Sequence, residues 1–177
     1  MRPEKINRIA LIGPESSGKS TLCKLLAKHF KTQWVPEYAR EYIEKLNRPY
    51  NSDDILLIAK EQMKIEDKML LKANKFLFAD TELIVAKVWC EDVFGFYPDW
   101  MEEKIEERKY NLYLLTKPDL PWENDPVREN PNRRDYFFDL YLNEIRKRKF
   151  NYEIISGTGD QRFLNAVNAI EKFNLFR

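Results

Sequence analysis

Gly13-Pro14-Glu15-Ser16-Ser17-Gly18-Lys19-Ser20 is the stretch whose reading decides the fold. It fits G-x-x-x-x-G-K-[ST], a phosphate-binding loop. Glycines let the backbone turn so that several N–H groups point inward at phosphate oxygens. A lysine at position 19 reaches the β- and γ-phosphates, and a hydroxyl at position 20 ligates Mg²⁺. The following helix adds its positive N-terminal end. Candidate contacts to ATP are therefore Gly13, Glu15, Ser16, Ser17, Gly18, Lys19, Ser20 and Thr21. The flanks agree with this reading. Residues 8–12 (Arg-Ile-Ala-Leu-Ile) form a short apolar run suited to a buried strand, and residues 21–28 have helical apolar spacing.

Outward from this loop, the pattern alternates strand and helix. Strands are expected at about 7–12, 33–35, 75–80, 110–115 and 152–156. Helices are expected from the loop to Phe30, from Pro36 over a short stretch, and over 53–73, 82–93, 99–109, 134–149 and 160–173. Ser52 is the expected N-cap of the long helix, with Asp53 and Asp54 in its first turn. Glu102–Glu107 is expected to be mostly a solvated face. Residues 117–132 hold Pro118, Pro121, Pro126 and Pro131 and must form a loop. Alternation of this kind implies an α/β fold, with a five-stranded parallel sheet covered by helices on both faces, three layers in all. Ligands of such sheets sit beyond the carboxyl ends of the strands.

The 177 residues suffice for one core, and a single domain over 1–177 is expected, with a lid at about 117–134. A net charge of +1 gives no pull toward nucleic acid or membrane surfaces. No apolar run approaches the ~20 residues of a membrane helix, and Met1–Asn7 lacks the apolar core of a signal peptide. Cys23 and Cys90 read as two reduced core thiols of a cytoplasmic protein. The lone His29 excludes a multi-histidine metal site. The sequence leaves room for a homo-oligomer and does not specify one.

The carboxyl-end rule gathers further candidates. Asp80 closes an apolar strand, where a carboxylate holds Mg²⁺ directly or through water; its rival role is to cap the next helix. Glu37 follows the second strand and suits a base that orients an attacking hydroxyl, or it is a plain helix acid beside Arg40. Asp80 is the alternative base. Arg128, Arg133 and Arg134 crowd the proline-rich loop, either to neutralise a transferred phosphoryl group or as a solvated basic patch. Trp122 either stacks on a flat ring or anchors the loop. Thr116-Lys117-Pro118-Asp119 imitates a guanine-reading [NT]-K-x-D, but Asp80-Thr81-Glu82-Leu83 lacks the glycine a GTPase wants after its third strand.

With these residues placed, the chain resembles the nicotinamide riboside kinase domain of the NadR-type proteins, a branch of the P-loop NTPase fold. The resemblance rests on residues 13–21, Pro36–Tyr42, Gln62, Phe78–Thr81, and a lid signature running from Asp119 through Trp122 and Asp125 to Arg128, with Arg133 beyond. The chain departs from it at Pro126, where the family's lid has Asp-Gly. The resemblance implies ATP-dependent phosphorylation of the 5′-hydroxyl of nicotinamide riboside in a stand-alone kinase unit. It implies that Glu37, Tyr38, Arg40 and Gln62 approach the nucleoside, with Asp125 and Arg128 in the lid and Trp122 on the pyridinium ring. Other readings remain open: a kinase for another nucleoside or nucleotide, or a nucleotide-dependent switch without a small-molecule acceptor.

Overall fold

A computed structural model describes residues 6–173. The ends of the expected 1–177 domain, with most of the Met1–Asn7 stretch, lie outside the described residues. The elements run β1 (Asn7–Ile12), α1 (Lys19–His29), β2 (Gln33–Val35), α2 (Tyr38–Lys45), α3 (Ser52–Leu70), β3 (Phe76–Asp80), α4 (Leu83–Phe94), α5 (Asp99–Glu107), β4 (Leu112–Thr116), α6 (Arg134–Lys147), β5 (Tyr152–Ile155) and α7 (Gly159–Lys172). The strands form one five-stranded sheet in the order β2-β3-β1-β4-β5, and every pair is parallel.

The three central strands are buried on both faces over most of their length, which is why they are apolar except at their ends. Ile9, Leu11, Phe76, Phe78, Leu112 and Leu114 point to one face, where they meet Leu22 and Leu26 of α1 and Ala166 and Ile170 of α7. Ala10, Ile12, Leu77, Ala79, Tyr113 and Leu115 point to the other, under α3, α4, α5 and α6. Burying one such large side chain contributes roughly 1.5–3 kcal/mol, so this two-sided packing is the main force holding the layers. Register then aligns the strand ends. Leu11 lies opposite Asp80, Ile12 opposite Leu115, and Val35 opposite Ala79. The segments after β1, β2, β3 and β4 therefore leave the sheet along one edge.

Two details differ from the sequence reading. The N-cap of α3 is Asn51, not Ser52. Asn51 has extended backbone, its side chain accepts from the Asp54 N–H at 3.1 Å, and the Asp54 carboxylate accepts from the Asn51 N–H at 2.8 Å. This reciprocal box needs an acceptor three residues before Asp54, and only Asn51 stands there. Nor is Glu102 simply solvated. It pairs with the fully buried Lys87 at 3.4 Å and with Arg148, and Lys87 also meets Glu144 at 3.1 Å, which ties α4, α5 and α6 together. Cys23 and Cys90 are buried free thiols, and His29 packs edge-on against Phe30 and Phe163. Among the described residues no helix is long and apolar enough to cross a membrane.

Candidate active site

The phosphate loop follows β1 directly, and its shape is fixed by contacts that tolerate only small residues. A Cβ on Gly13, at φ 147°, would lie 2.3 Å from Thr116 Oγ1 and 2.7 Å from the Thr116 carbonyl. Gly18 turns the chain into α1 with φ 76°. Ser17 Oγ donates to the Pro14 carbonyl at 2.7 Å and lies 2.7 Å from Thr116 Oγ1, so it braces the loop from beneath. Lys19 Nζ curls over the loop and donates to the carbonyls of Gly13 and Pro14 at 2.9 and 2.8 Å.

Glu15, Ser16 and Thr21, with Gly18, Lys19 and Ser20, line a cavity of about 500 Å³. Glu37 and Arg40 form part of the same wall. Tyr50, Trp89, Phe137 and Tyr141 line it as well. Tyr50 and Trp89 meet edge to face at 5.0 Å between ring centres, with the Trp89 indole N–H donating to the Tyr50 hydroxyl at 3.2 Å. Sequence reading missed all four aromatic residues, because Trp89, Phe137 and Tyr141 look like core filling within their helices and Tyr50 like part of a loop. Packing of α4, α6 and the α2–α3 loop brings them to one cavity.

Asp80 is buried at the end of β3 and does not cap α4. That task falls to Glu82, whose carboxylate accepts from the Ile84 N–H at 2.9 Å. Burial pushes the Asp80 carboxyl above its usual range, while Lys19 and the Ser20 hydroxyl pull it back down. Asp80 Oδ1 is buried without a hydrogen-bond partner. A buried acceptor of this kind beside a serine hydroxyl fits a divalent cation, with Ser20 and Asp80 as its protein contacts. Glu37 is the N-cap residue of α2, yet its side chain makes no capping bond. Its carboxyl is also pushed up, first by burial and then by the negative charge of Asp80, against the pull of Lys19 and Arg40.

The loop from Lys117 to Arg133 carries no helix or strand and folds back over the phosphate loop. The Glu15 carboxylate accepts from the backbone N–H of Asn130 at 2.9 Å and of Glu129 at 3.2 Å. Ser16 Oγ accepts from the Glu123 N–H at 2.9 Å and from Arg128 at 3.1 Å. Arg134 donates to the Leu120 carbonyl at 2.8 Å. Asp125 takes a 2.7 Å bond from Arg40, which fastens the lid to α2.

Several expected site residues lie elsewhere. Arg133 turns away from the cavity into a two-bond pair with Asp92 at 2.6 and 3.0 Å, stacked over Tyr136. It fastens the lid's end to α4, and among the crowded arginines it is Arg128 and Arg134 that reach the phosphate loop. Trp122 is absent from the cavity wall among the described residues; its indole N–H bonds Asn124, and Arg134 stacks on its ring. Tyr38 packs against Tyr42, and Gln62 bonds the backbone on either side of Glu37. Asp119, the mimic of a guanine reader, has both oxygens occupied. One accepts from the Gly157 N–H at 2.8 Å and the other from Arg162 at 2.6 Å. Arg162 also donates to the carbonyls of Ser17, Lys117 and Gly157 at 2.7, 2.9 and 2.8 Å. The motif is thus part of a clasp between three loops, centred on the buried Arg162.

Comparisons with known proteins bear on the fold and the family. Residues 8–162 match the AAA domain family AAA_28. The NadR proteins of Salmonella typhimurium (strain LT2) and Escherichia coli (strain K12), both named trifunctional NAD biosynthesis/regulator proteins, are each 26% identical over 181 residues. Those alignments cover 97% of this chain and 44% of each relative, so the chain spans less than half their length. A crystal structure of NadR protein in complex with NR superposes with a TM-score of 0.78 at 23% identity, over 95% of this chain and 51% of that one. Thymidylate kinase from Candida albicans superposes at 0.66 with 14% identity, over 98% and 94% of the two chains. The fold is therefore that of the P-loop kinases. With the greater part of its length matched, the chain belongs to the AAA domain family.

Proposed function

We propose that the chain is an ATP-dependent kinase that phosphorylates the 5′-hydroxyl of nicotinamide riboside, giving nicotinamide mononucleotide. One observation carries the reading: a single cavity is lined at once by the phosphate loop, by Glu37 and by the aromatic rings of Tyr50, Trp89, Phe137 and Tyr141. A nucleoside in this cavity has its sugar hydroxyl toward the Glu37 carboxylate. Nicotinamide riboside carries a pyridinium cation, and aromatic faces such as those of Trp89 and Tyr50 attract cations. The names of the NadR relatives, and the NR bound in the NadR crystal structure, point to the same substrate. A NadR structure with NAD and AMP-PNP supports an adenine nucleotide as donor.

In this reading, residues 13–21 cradle the ATP phosphates, and Lys19 leaves its carbonyl partners to bridge the β- and γ-phosphates. Glu37 accepts the proton of the attacking hydroxyl and aims the oxygen in line with the γ-phosphorus. Its raised pKa suits a base working near neutrality. Mg²⁺, when held by Ser20 and Asp80, supplies charge neutralisation on the phosphate oxygens. Arg128, already at Ser16, balances the charge that spreads over the transferred group. The work belongs to NAD salvage in the cytoplasm, where buried free thiols suit a reducing compartment.

The test is ADP release with Mg²⁺ and ATP against nicotinamide riboside, uridine, adenosine and nicotinamide mononucleotide. Stimulation by nicotinamide riboside, with its mononucleotide identified by mass, is the expected result. Stimulation by another nucleoside alone would keep the kinase and discard this substrate. Tight ATP binding with no stimulation by any would leave a nucleotide-dependent switch.

A further inference from the structure

Gln62 lies in the middle of α3 and is 8% exposed. Its Oε1 accepts from the Tyr38 N–H at 2.8 Å, and its Nε2 donates to the Pro36 carbonyl at 3.1 Å. These two backbone groups flank Glu37 on either side. One planar amide therefore bridges the peptide units that set the direction of the Glu37 side chain. Pro36 has no N–H to anchor, and α2 contains no buried residue to fix its own start. The Glu37 carboxylate makes no capping bond either. Gln62 faces a side cavity of about 60 Å³, behind Glu37, and is not part of the larger cavity wall.

We propose that Gln62 is a positioning residue, which aims the Glu37 carboxylate by holding the backbone on both sides of it, and that it does not contact the nucleoside. The proposal rests on the reading of Glu37 as the base. Only an amide presents a donor and an acceptor side by side at this spacing. Glutamate loses the donor, and methionine loses both. Freed from the bridge, the turn before α2 shifts. A displacement of ~1 Å at a reacting group costs up to about 10²-fold in rate.

The experiment is a double-mutant cycle with the nucleoside that supports turnover, using Glu37→Gln, Gln62→Met and the pair together. Glu37→Gln should slow kcat strongly. Gln62→Met should lower kcat by about tenfold or more, with the KM values for ATP and nucleoside changed by no more than about twofold. In the Glu37→Gln background the Gln62→Met change should cost almost nothing, because there is no base left to aim. If the two losses multiply, or if nucleoside KM rises while kcat holds, Gln62 acts independently of Glu37 and the proposal is overturned. If Glu37→Gln alone leaves kcat unchanged, the base reading falls, and the positioning role falls with it. Should Gln62→Met melt early, Gln62→Asn repeats the cycle. It keeps the amide but is one methylene too short to span both backbone groups, and the same non-additivity is expected.

Discussion

At the scale of single residues, two side chains divide the labour around the phosphates. Lys19 is held by two carbonyls of its own loop, bonds that a phosphate can replace without disturbing the core. Lys19→Ala should therefore remove nearly all phosphoryl transfer, by about 10³-fold or more, while the thermal midpoint moves little. Full turnover in the variant would overturn the phosphate-loop assignment. Arg162 differs, because its guanidinium fastens Ser17, Lys117, Gly157 and Asp119 at once. Arg162→Leu leaves those carbonyls without a donor. It should cost about 2–4 kcal/mol in a denaturation experiment and raise the KM for ATP more than that for the nucleoside. Equal rises would show that the clasp serves the whole cavity. Lys19 was legible in the sequence because its motif is local. Arg162 was not, since its partner Ser17 lies 145 positions away and no spacing rule reaches that far. Asp119 carried a recognisable local pattern that the fold spends on the clasp.

At the scale of elements, the join between α2 and α3 and the lid are the informative pieces. Asp54 completes the α3 cap and also accepts from Arg48 at 2.6 and 2.9 Å and from the Tyr42 hydroxyl at 2.7 Å. Arg48 foremost, with the Asn51 N–H and the Tyr42 hydroxyl, holds its carboxyl below the ordinary 3.8. A depressed folded pKa means stability that is fully present above pH 3.8 and is lost as pH falls through the folded value. Asp54→Ala should therefore destabilise by about 2 kcal/mol at neutral pH, with the gap to the unaltered chain closing under strong acid. Denaturation curves at neutral and low pH would check it, and a gap independent of pH would contradict the charge argument. The lid's Arg40–Asp125 pair is partly exposed, so its contribution is small. Asp125→Asn should raise the KM for nucleoside by no more than about threefold and leave kcat nearly intact. A collapse of kcat would mean that Asp125 takes part in the chemistry. Helix and strand positions were readable because each element's apolar period is local. The lid's proline-rich sequence announced only the lack of regular structure, and which of its arginines faces the phosphates depends on Asp92, in another helix.

At the scale of the whole molecule, the parallel sheet converts separate strand ends into one site. The alternation of strands with helices along the chain made the layered architecture legible, whereas the cavity emerges only from packing α4, α6 and the lid along one edge. A nucleotide that bridges the phosphate loop and lid links segments more than 100 residues apart and should stabilise them together. The thermal midpoint should rise with ATP concentration, by about 2.7 kcal/mol of stabilisation at 100 times the dissociation constant, and Lys19→Ala should abolish the rise. No shift with ATP in the unaltered chain would contradict nucleotide binding at this loop. The clasp also imposes an order in time. Residues 13–20 are synthesised well before the guanidinium that holds the Ser17 carbonyl, which belongs to α7. The loop cannot take its finished form until synthesis has passed residue 162. By then β2, β3, β4 and the lid have all been made, so the nascent polypeptide carries its nucleotide signature well before it acquires its working grip.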